Sequence, residues 1–186
     1  MVLKATVFKA ELQVSDLDRG YYGTHALTIA RHPSETDERM MVRIVAFALN
    51  AAPMLRFGKG LSGDDEPDLW QHDLTGQAEL RIDVGLPDVA RMRKACGLAR
   101  KVVVYSYGRA AEIWWKQSAA DIARHDNLAV VALPMELTRD FTALAARNMR
   151  LQCTVQDGVV WFSGEEASVQ FEPQLLKRFS GREARR

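Results

Sequence analysis

The segment 79–107, ELRIDVGLPDVARMRKACGLARKVVVYSY, decides the fold class of this chain. Residues 79–84 alternate ionisable and apolar side chains, which is the period-2 pattern of a strand with one buried face. Gly85 then ends the strand, and we predict a helix over 88–97. Residues 101–107 form the β-branched run typical of a strand that is covered on both faces. A strand, a helix and a second strand in this order predict a parallel crossover of the right-handed kind and hence an α/β fold.

Outward from this segment, the same patterns predict the remaining helices and strands. The predicted strands are 8–14 and 22–31 as an N-terminal hairpin, 67–71, 128–133, and 149–155 with 159–162 as a C-terminal hairpin closed by a turn at Asp157 and Gly158. The predicted helices are 35–51, 110–124 and 135–147. Ser34 and Asp37 have the spacing of a capping box at the start of the first helix. Residues 58–66 contain three glycines and an acidic run, which predicts an exposed, mobile loop.

The composition limits the classes of protein to which the chain can belong. Its 186 residues, of which 47% are hydrophobic, fit one domain, 1–186, with a sizeable core. The 25 basic and 24 acidic residues give a net charge of +1, so any contact with nucleic acid must be local. The richest basic stretch is at the C-terminus, where we predict a solvated tail containing Lys177, Arg178, Arg182, Arg185 and Arg186.

Cysteine usage and hydropathy predict a cytoplasmic protein. Cys96 and Cys153 are far apart and neither belongs to a CxxC pair, so we predict no zinc motif and no disulfide. The N-terminus has no apolar signal segment, and no run of 18 apolar residues occurs. We therefore expect no membrane segment.

Carboxylates near the ends of two neighbouring strands form the candidate functional site. Asp68 follows Pro67 at the start of the strand 67–71, and Asp83 ends the strand 79–84, where open α/β sheets bind their ligands. Carboxylates that meet in this way suit Mg²⁺ or Mn²⁺, and such an ion can activate water for phosphoryl chemistry. The structural alternative is that Asp68 belongs to a solvated acidic run and that Asp83 pairs with Arg81 or caps the turn.

Glu35 is the third candidate metal ligand. We predict it in the first turn of the first helix, where the helix dipole favours a carboxylate and Arg39 lies four residues further on. A structural ion pair and a role in metal binding both remain open for this residue.

Several blocks of sequence, in order along nearly the whole chain, resemble the YaeQ family. These blocks are Tyr21-Tyr22, His25-Ala26-Leu27-Thr28, His32-Pro33-Ser34-Glu35-Thr36, Arg39-Met40-Met41, Ala46-Phe47-Ala48-Leu49, Glu66-Pro67-Asp68-Leu69-Trp70, Ile82-Asp83-Val84-Gly85-Leu86-Pro87-Asp88, Lys94-Ala95-Cys96, Val104-Tyr105-Ser106-Tyr107, Trp114-Trp115 and Gln156-Asp157-Gly158-Val159-Val160-Trp161. The resemblance implies a divergent PD-(D/E)XK protein with a restriction-endonuclease-like core, in which a mixed central β-sheet is flanked by helices and accompanied by N- and C-terminal β-hairpins. Pro67-Asp68 would be its PD element and Asp83 its second acid.

One position departs from the nuclease pattern. Val84 and Gly85 follow the second acid, where a D-x-K pattern has a lysine that positions or activates the attacking water. Lys94 is the candidate replacement, because helical side chains lean back toward the N-terminus of their helix. Two functions stay open: an Mg²⁺- or Mn²⁺-dependent phosphodiesterase acting on nucleic acid, with Asp68, Asp83 and Lys94 as catalytic residues, and a catalytically inactive nuclease-fold binding or interaction module.

Overall fold

The structure, a computed structural model, describes residues 4–58 and 65–181 with all side chains except those of Thr138 and Arg139. The helices are α1 Asp37–Leu49, α2 Val89–Leu98, α3 Ala111–Ile122 and α4 Leu137–Leu144. The strands are β1 Thr6–Asp16, β2 Tyr21–Arg31, β3 Arg56–Phe57, β4 Leu69–His72, β5 Ala78–Val84, β6 Lys101–Ser106, β7 Leu128–Ala132, β8 Asn148–Gln156, β9 Val159–Ser163, β10 Ser168–Phe171 and β11 Gln174–Lys177. The chain is therefore an α/β protein, as predicted.

The predicted parallel crossover is present in a six-stranded mixed sheet. Strands β5 and β6 pair in parallel from Leu80 opposite Lys101 to Val84 opposite Tyr105. Helix α2 connects them and packs its buried Met92 and Ala95 on the face of the sheet that also carries Val102 and Val104. The strand order is β11-β7-β6-β5-β4-β3, in which β5, β6 and β7 are parallel and their neighbours antiparallel.

A second, five-stranded sheet in the described part of the chain contains the two predicted terminal hairpins. Both predicted terminal hairpins form, β1 with β2 and β8 with β9, and a parallel pairing of β1 with β8 joins them. The resulting order is β10-β9-β8-β1-β2. Each hairpin alternates apolar and polar residues, so each has one apolar face to bury. Side-by-side pairing of the hairpins lets the two apolar faces pack against the same helices.

Helix α1 fills the space between the two sheets. Its residues from Met40 to Ala48 are all buried, including Arg43. The helix packs against β1 of one sheet, β5 of the other, and α4. A helix that is buried on all sides is an internal element, and α1 therefore carries its side chains directly to the ends of the central strands.

Thr36, not Ser34, caps α1. The Thr36 side chain accepts a hydrogen bond of 3.1 Å from the Arg39 N–H, whereas Ser34 Oγ lies 2.7 Å from His32 Nδ1. The capping-box prediction placed the helix start too early, so that Glu35 lies before the helix instead of in its first turn.

We expect Thr36→Ala to lower the free energy of unfolding by about 1 kcal/mol, because the variant loses the N-cap acceptor. Ser34→Ala, which leaves the cap intact, serves as the control and should change it by less than about 0.5 kcal/mol. Urea unfolding followed by circular dichroism measures both values. The cap assignment would be wrong if the two effects were equal or reversed.

The prediction of a solvated C-terminal tail is wrong for Lys177. This residue ends β11, which pairs with β7, and its Nζ donates to the carbonyl oxygens of His125 at 2.7 Å and Leu128 at 3.0 Å. Burial lowers the pKa of Lys177 from its ordinary value. A four-residue strand is too short to show a clear alternation in sequence, and tertiary pairing decides its conformation. The rest of the predicted basic tail, from Arg182 onward, lies outside the described residues.

Most of the predicted loop 58–66 lies outside the described residues. Cys96 and Cys153 are both free thiols, in agreement with the prediction of no disulfide. Within the described residues, no helix has the length and apolarity needed to cross a membrane.

Candidate functional site

The antiparallel pairing of β4 and β5 places Asp68 beside the end of β5. Leu69, the first residue of β4, lies opposite Ile82, and the Asp68 N–H donates to the Ile82 carbonyl oxygen at 3.0 Å. The Val84 N–H in turn donates to Asp68 Oδ2 at 2.7 Å. The start of one strand thus meets the end of the next, and Asp68 and Asp83 come to the same end of the sheet.

Arg39 neutralises Asp68 from the side of α1. Its Nη2 lies 2.9 Å from Asp68 Oδ1 and 3.1 Å from Oδ2, and its Nη1 lies 3.0 Å from Glu35 Oε1. Burial lowers the pKa of Arg39, but attraction to Asp68 and Glu35 outweighs this effect and holds the pKa above its ordinary value. Burial raises the pKa of Asp68, and Arg39 and the Val84 N–H oppose this rise only in part.

Glu35 forms a buried ion pair with Arg43. Arg43 Nε donates to Glu35 Oε1 at 2.8 Å, and Arg43 Nη2 donates to Oε2 at 2.7 Å. The same Nη2 also donates to the carbonyl oxygen of Ala30 at 3.0 Å. Arg43 therefore connects α1 to the end of β2, and Glu35, through Arg39, connects this junction to Asp68. The structural ion pair that the sequence suggested between Glu35 and Arg39 is present.

Asp83 lies on the opposite face of the sheet from α1. It alternates with Ile82 and Val84, which pack in the core around α1, so its carboxylate faces α2. Arg81 Nε lies 2.9 Å from Asp83 Oδ2, and both Arg81 Nη2, at 3.3 Å, and Arg91 Nη2, at 3.1 Å, donate to Oδ1. The pairing of Asp83 with Arg81 is the structural alternative that the sequence left open, and Arg91 of α2 adds to it.

Lys94 forms an ion pair with Asp65, with Nζ 2.5 Å from Oδ1. Both side chains are more than half exposed. Attraction to Lys94 holds the pKa of Asp65 below its ordinary value. Lys94 is thus directed to the acidic segment before β4, and its catalytic role stays a prediction.

These side chains form two groups of ion pairs, one on the α1 side and one on the α2 side of β5, and we call the two groups together the ion-pair cluster. Its members are Glu35, Asp68, Asp83, Arg39, Arg43, Arg81 and Arg91. Each carboxylate oxygen in it accepts at least one hydrogen bond from a guanidinium group. The cluster therefore contains four guanidinium groups and three carboxylates.

The donor set of the ion-pair cluster does not fit a divalent cation. Mg²⁺ requires nearly octahedral oxygen ligands at about 2.0–2.1 Å, with lone pairs free to coordinate it. In the cluster those lone pairs accept hydrogen bonds from cationic groups, which a metal ion would have to displace. In the described ranges, no three His, Cys, Asp or Glu side chains lie close enough together to hold a metal ion.

The sequence indicates the acids of the cluster more clearly than its arginines. It suggests Arg39 as a possible partner of Glu35 and Arg81 as a possible partner of Asp83, and it does not single out Arg91. The available signal was local: Arg91 lies three residues after Asp88, which caps α2 and accepts a 2.7 Å hydrogen bond from the Arg91 N–H. Arg39 reaches Asp68 from α1 and Arg91 reaches Asp83 from α2, and these two helices cover opposite faces of β5.

Comparison with known proteins identifies the family. The chain matches the sequence model of the YaeQ protein family over residues 1–173. It is 44% identical over 171 residues to the YaeQ protein of Escherichia coli K12, covering 91% of this chain and 94% of that protein. It is also 43% identical over 173 residues to the YaeQ protein of Salmonella typhi, covering 92% and 96% of the two chains.

Two crystal structures share this fold. The YaeQ protein from Xanthomonas axonopodis pv. citri superposes with a TM-score of 0.91 at 51% identity, covering 94% of this chain and 99% of that one. The YaeQ protein from Pseudomonas syringae superposes with a TM-score of 0.88 at 32% identity, covering 93% and 96%. The similarity extends over nearly the full length of each relative, and the chain therefore belongs to the YaeQ family.

Proposed function

We propose that the chain is a binding module that holds an anionic partner at the ion-pair cluster without cleaving it. The observation that carries this proposal is the difference in exposure within the cluster. The side chains of Glu35, Asp68 and Asp83 are 3%, 10% and 4% exposed, whereas those of Arg39 and Arg91 are 26% and 29% exposed. A ligand that approaches from solvent therefore meets guanidinium groups, which suit phosphate and carboxylate groups.

Nucleic acid is the partner that we propose for this surface. The resemblance to the PD-(D/E)XK nuclease-like superfamily makes a phosphodiester backbone the first anion to consider. On the α2 side of β5, the guanidinium groups of Arg81 and Arg91 outnumber the single carboxylate of Asp83, which supports local attraction of a phosphate. A net charge of only +1 for the whole chain means that such binding would depend on the cluster itself.

A magnesium-dependent phosphodiesterase is the second candidate function. The observation in its favour is the position of Asp68 beside the end of β5, where it accepts a hydrogen bond from the N–H of Val84, the residue that follows Asp83. For this activity, a metal ion would have to displace the guanidinium groups of Arg39 and Arg91 from the two carboxylates. We rank it second for that reason.

Binding of labelled single-stranded DNA and RNA, followed by fluorescence anisotropy at increasing salt, tests the leading proposal. We expect salt-dependent binding, and we expect Arg91→Gln to reduce the slope of log affinity against log salt by about one, because one phosphate contact is lost. Arg93→Gln is the matched control, since Arg93 lies on the same helix, is exposed and is outside the cluster. Equal slopes for the two variants would contradict the role of the cluster.

Incubation of the same nucleic acids with Mg²⁺ or Mn²⁺ separates the two candidates. The leading proposal predicts intact substrate. Cleavage by the purified wild type that is abolished in a folded Asp83→Asn variant would instead establish the phosphodiesterase.

A further inference from the structure

A cleft of about 310 Å³ lies beside the ion-pair cluster, on the α2 side of the six-stranded sheet. Its walls include Trp70, His72, Arg81, Leu98, Asp65 and Gln77. Trp70 and Arg81 are directly opposite each other on β4 and β5, so their side chains project from the same face of the sheet. The cleft thus lies between this face of the sheet and the C-terminal end of α2, where Leu98 contributes to its lining.

The aromatic wall of the cleft is held in place by its neighbours. The rings of Trp70 and His72 make an edge-to-face contact, with centroids 4.3 Å apart and planes at 68°. The Arg81 guanidinium is fixed by two hydrogen bonds to Asp83 and by a third, of 2.8 Å, from Nη1 to the carbonyl oxygen of Asp65. Planar groups that are already ordered lose little conformational entropy when a planar ligand binds against them.

Polar groups at the rim supply hydrogen-bonding capacity. The Gln77 amide is exposed, and its Oε1 accepts a 3.0 Å hydrogen bond from Arg100. The Asp65 carboxylate is also exposed and carries the ion pair with Lys94. An apolar and aromatic wall with a few polar groups is typical of a small-molecule site, and a volume of about 310 Å³ is at the lower end of the range for such sites. The space suits one planar heterocycle.

The cleft is continuous with the exposed arginine of the cluster. Arg81, which forms part of the cleft, and Arg91, which is partly exposed, both donate to the same atom, Asp83 Oδ1. They also bind consecutive carbonyl oxygens, Arg81 that of Asp65 and Arg91 that of Glu66. An anion at Arg91 and a ring in the cleft would therefore lie close together, as do the phosphate and the base of one nucleotide, which a single sugar connects.

We propose that this cleft binds one unstacked base of single-stranded nucleic acid, with the base against Trp70 and its phosphate at Arg91. The inference rests on the proposed function and adds to it the strandedness of the partner and the site of the base. A base inside a duplex is stacked and paired and cannot enter the cleft, whereas an unpaired base presents a free face for stacking on an aromatic ring.

A labelled single-stranded oligonucleotide and an abasic oligonucleotide of the same length, compared by fluorescence anisotropy, test this proposal on the wild-type protein. We expect the abasic strand to bind roughly tenfold to a hundredfold more weakly, which corresponds to the loss of one stacked base. Equal binding of the two strands would overturn the base site and leave the proposed function standing. If neither strand binds in a salt-dependent manner, the proposed function itself fails.

Variants then locate the base. Trp70→Leu should bind the normal oligonucleotide as weakly as the wild type binds the abasic one, and its binding of the abasic strand should be unchanged. Trp161→Leu is the matched control, because Trp161 is an exposed tryptophan on β9 of the other sheet. If circular dichroism shows that Trp70→Leu is unfolded, the comparison of the two strands on the wild type decides alone. A folded Trp70→Leu variant that binds both strands like the wild type would overturn the proposal.

Discussion

Replacement of Glu35 by glutamine is expected to lower the free energy of unfolding by about 3–5 kcal/mol. Both Glu35 and Arg43 are 3% exposed, and the carboxylate accepts hydrogen bonds from Nε and Nη2 of Arg43. Glutamine has nearly the same volume but no charge, so the variant leaves the Arg43 guanidinium buried without its counter-ion. The cost is therefore electrostatic and does not arise from a cavity.

Urea unfolding with linear extrapolation measures this effect, and Glu11→Gln provides the matched control. Glu11 is an exposed glutamate of β1, so its replacement should change the free energy by less than about 0.5 kcal/mol. The double variant Glu35→Leu with Arg43→Met removes both charges and should recover much of the loss. A Glu35→Gln protein that is as stable as the wild type but loses affinity for Mn²⁺ would instead support the predicted role of Glu35 as a metal ligand.

Replacement of Asp83 by alanine is expected to destabilise the protein by a similar amount, about 3–5 kcal/mol. Arg81 is 5% exposed, and the variant leaves its guanidinium in the interior, where the Asp65 carbonyl oxygen is its remaining hydrogen-bond partner among the described residues. Arg91 also loses its contact with Asp83, but it is partly exposed and can be hydrated. The main cost is thus the buried charge of Arg81.

Thermal and urea unfolding check this second prediction, with Asp121→Ala as the control because Asp121 is an exposed acid on α3. The control should differ from the wild type by less than about 0.5 kcal/mol. A fully stable Asp83→Ala protein would contradict the structural role of Asp83. The expected loss of stability also means that a nuclease assay on Asp83→Ala confuses chemistry with folding, and Asp83→Asn, which keeps the shape of the side chain, is the better variant for activity.

Local patterns in the sequence were sufficient for the elements that lie close together along the chain. The alternation in β5, the β-branched run of β6 and the break at Gly85 between them predicted the parallel crossover, and the structure confirms that pairing. The two terminal hairpins were predictable for the same reason: each is a contiguous unit in which a turn joins two alternating strands. The side-chain period and the turn residues that specify such units are properties of a short stretch of chain.

The sequence also brought Asp68, Asp83 and Glu35 to attention, and it suggested Arg39 and Arg81 as their partners. It could not decide between metal ligands and ion pairs, because a carboxylate near a strand end has the same local pattern in both cases. The difference lies in what faces the carboxylate across the fold.

Tertiary structure decided the parts that depend on distant segments. The parallel pairing of β1 with β8, which joins the two terminal hairpins into one sheet, connects residues more than a hundred positions apart and has no local signal. Lys177, the first residue of the predicted basic tail, likewise belongs to β11 only because this strand pairs with the edge of β7. In the same way, α1 brings Arg39 to Asp68 from one face of β5 and α2 brings Arg91 to Asp83 from the other. The sequence by itself determined the alternating strands, the turns between them and the positions of the charged residues. Tertiary structure decided which groups balance the charge of each carboxylate, because only the packing of helices on the sheet brings those groups within hydrogen-bonding distance.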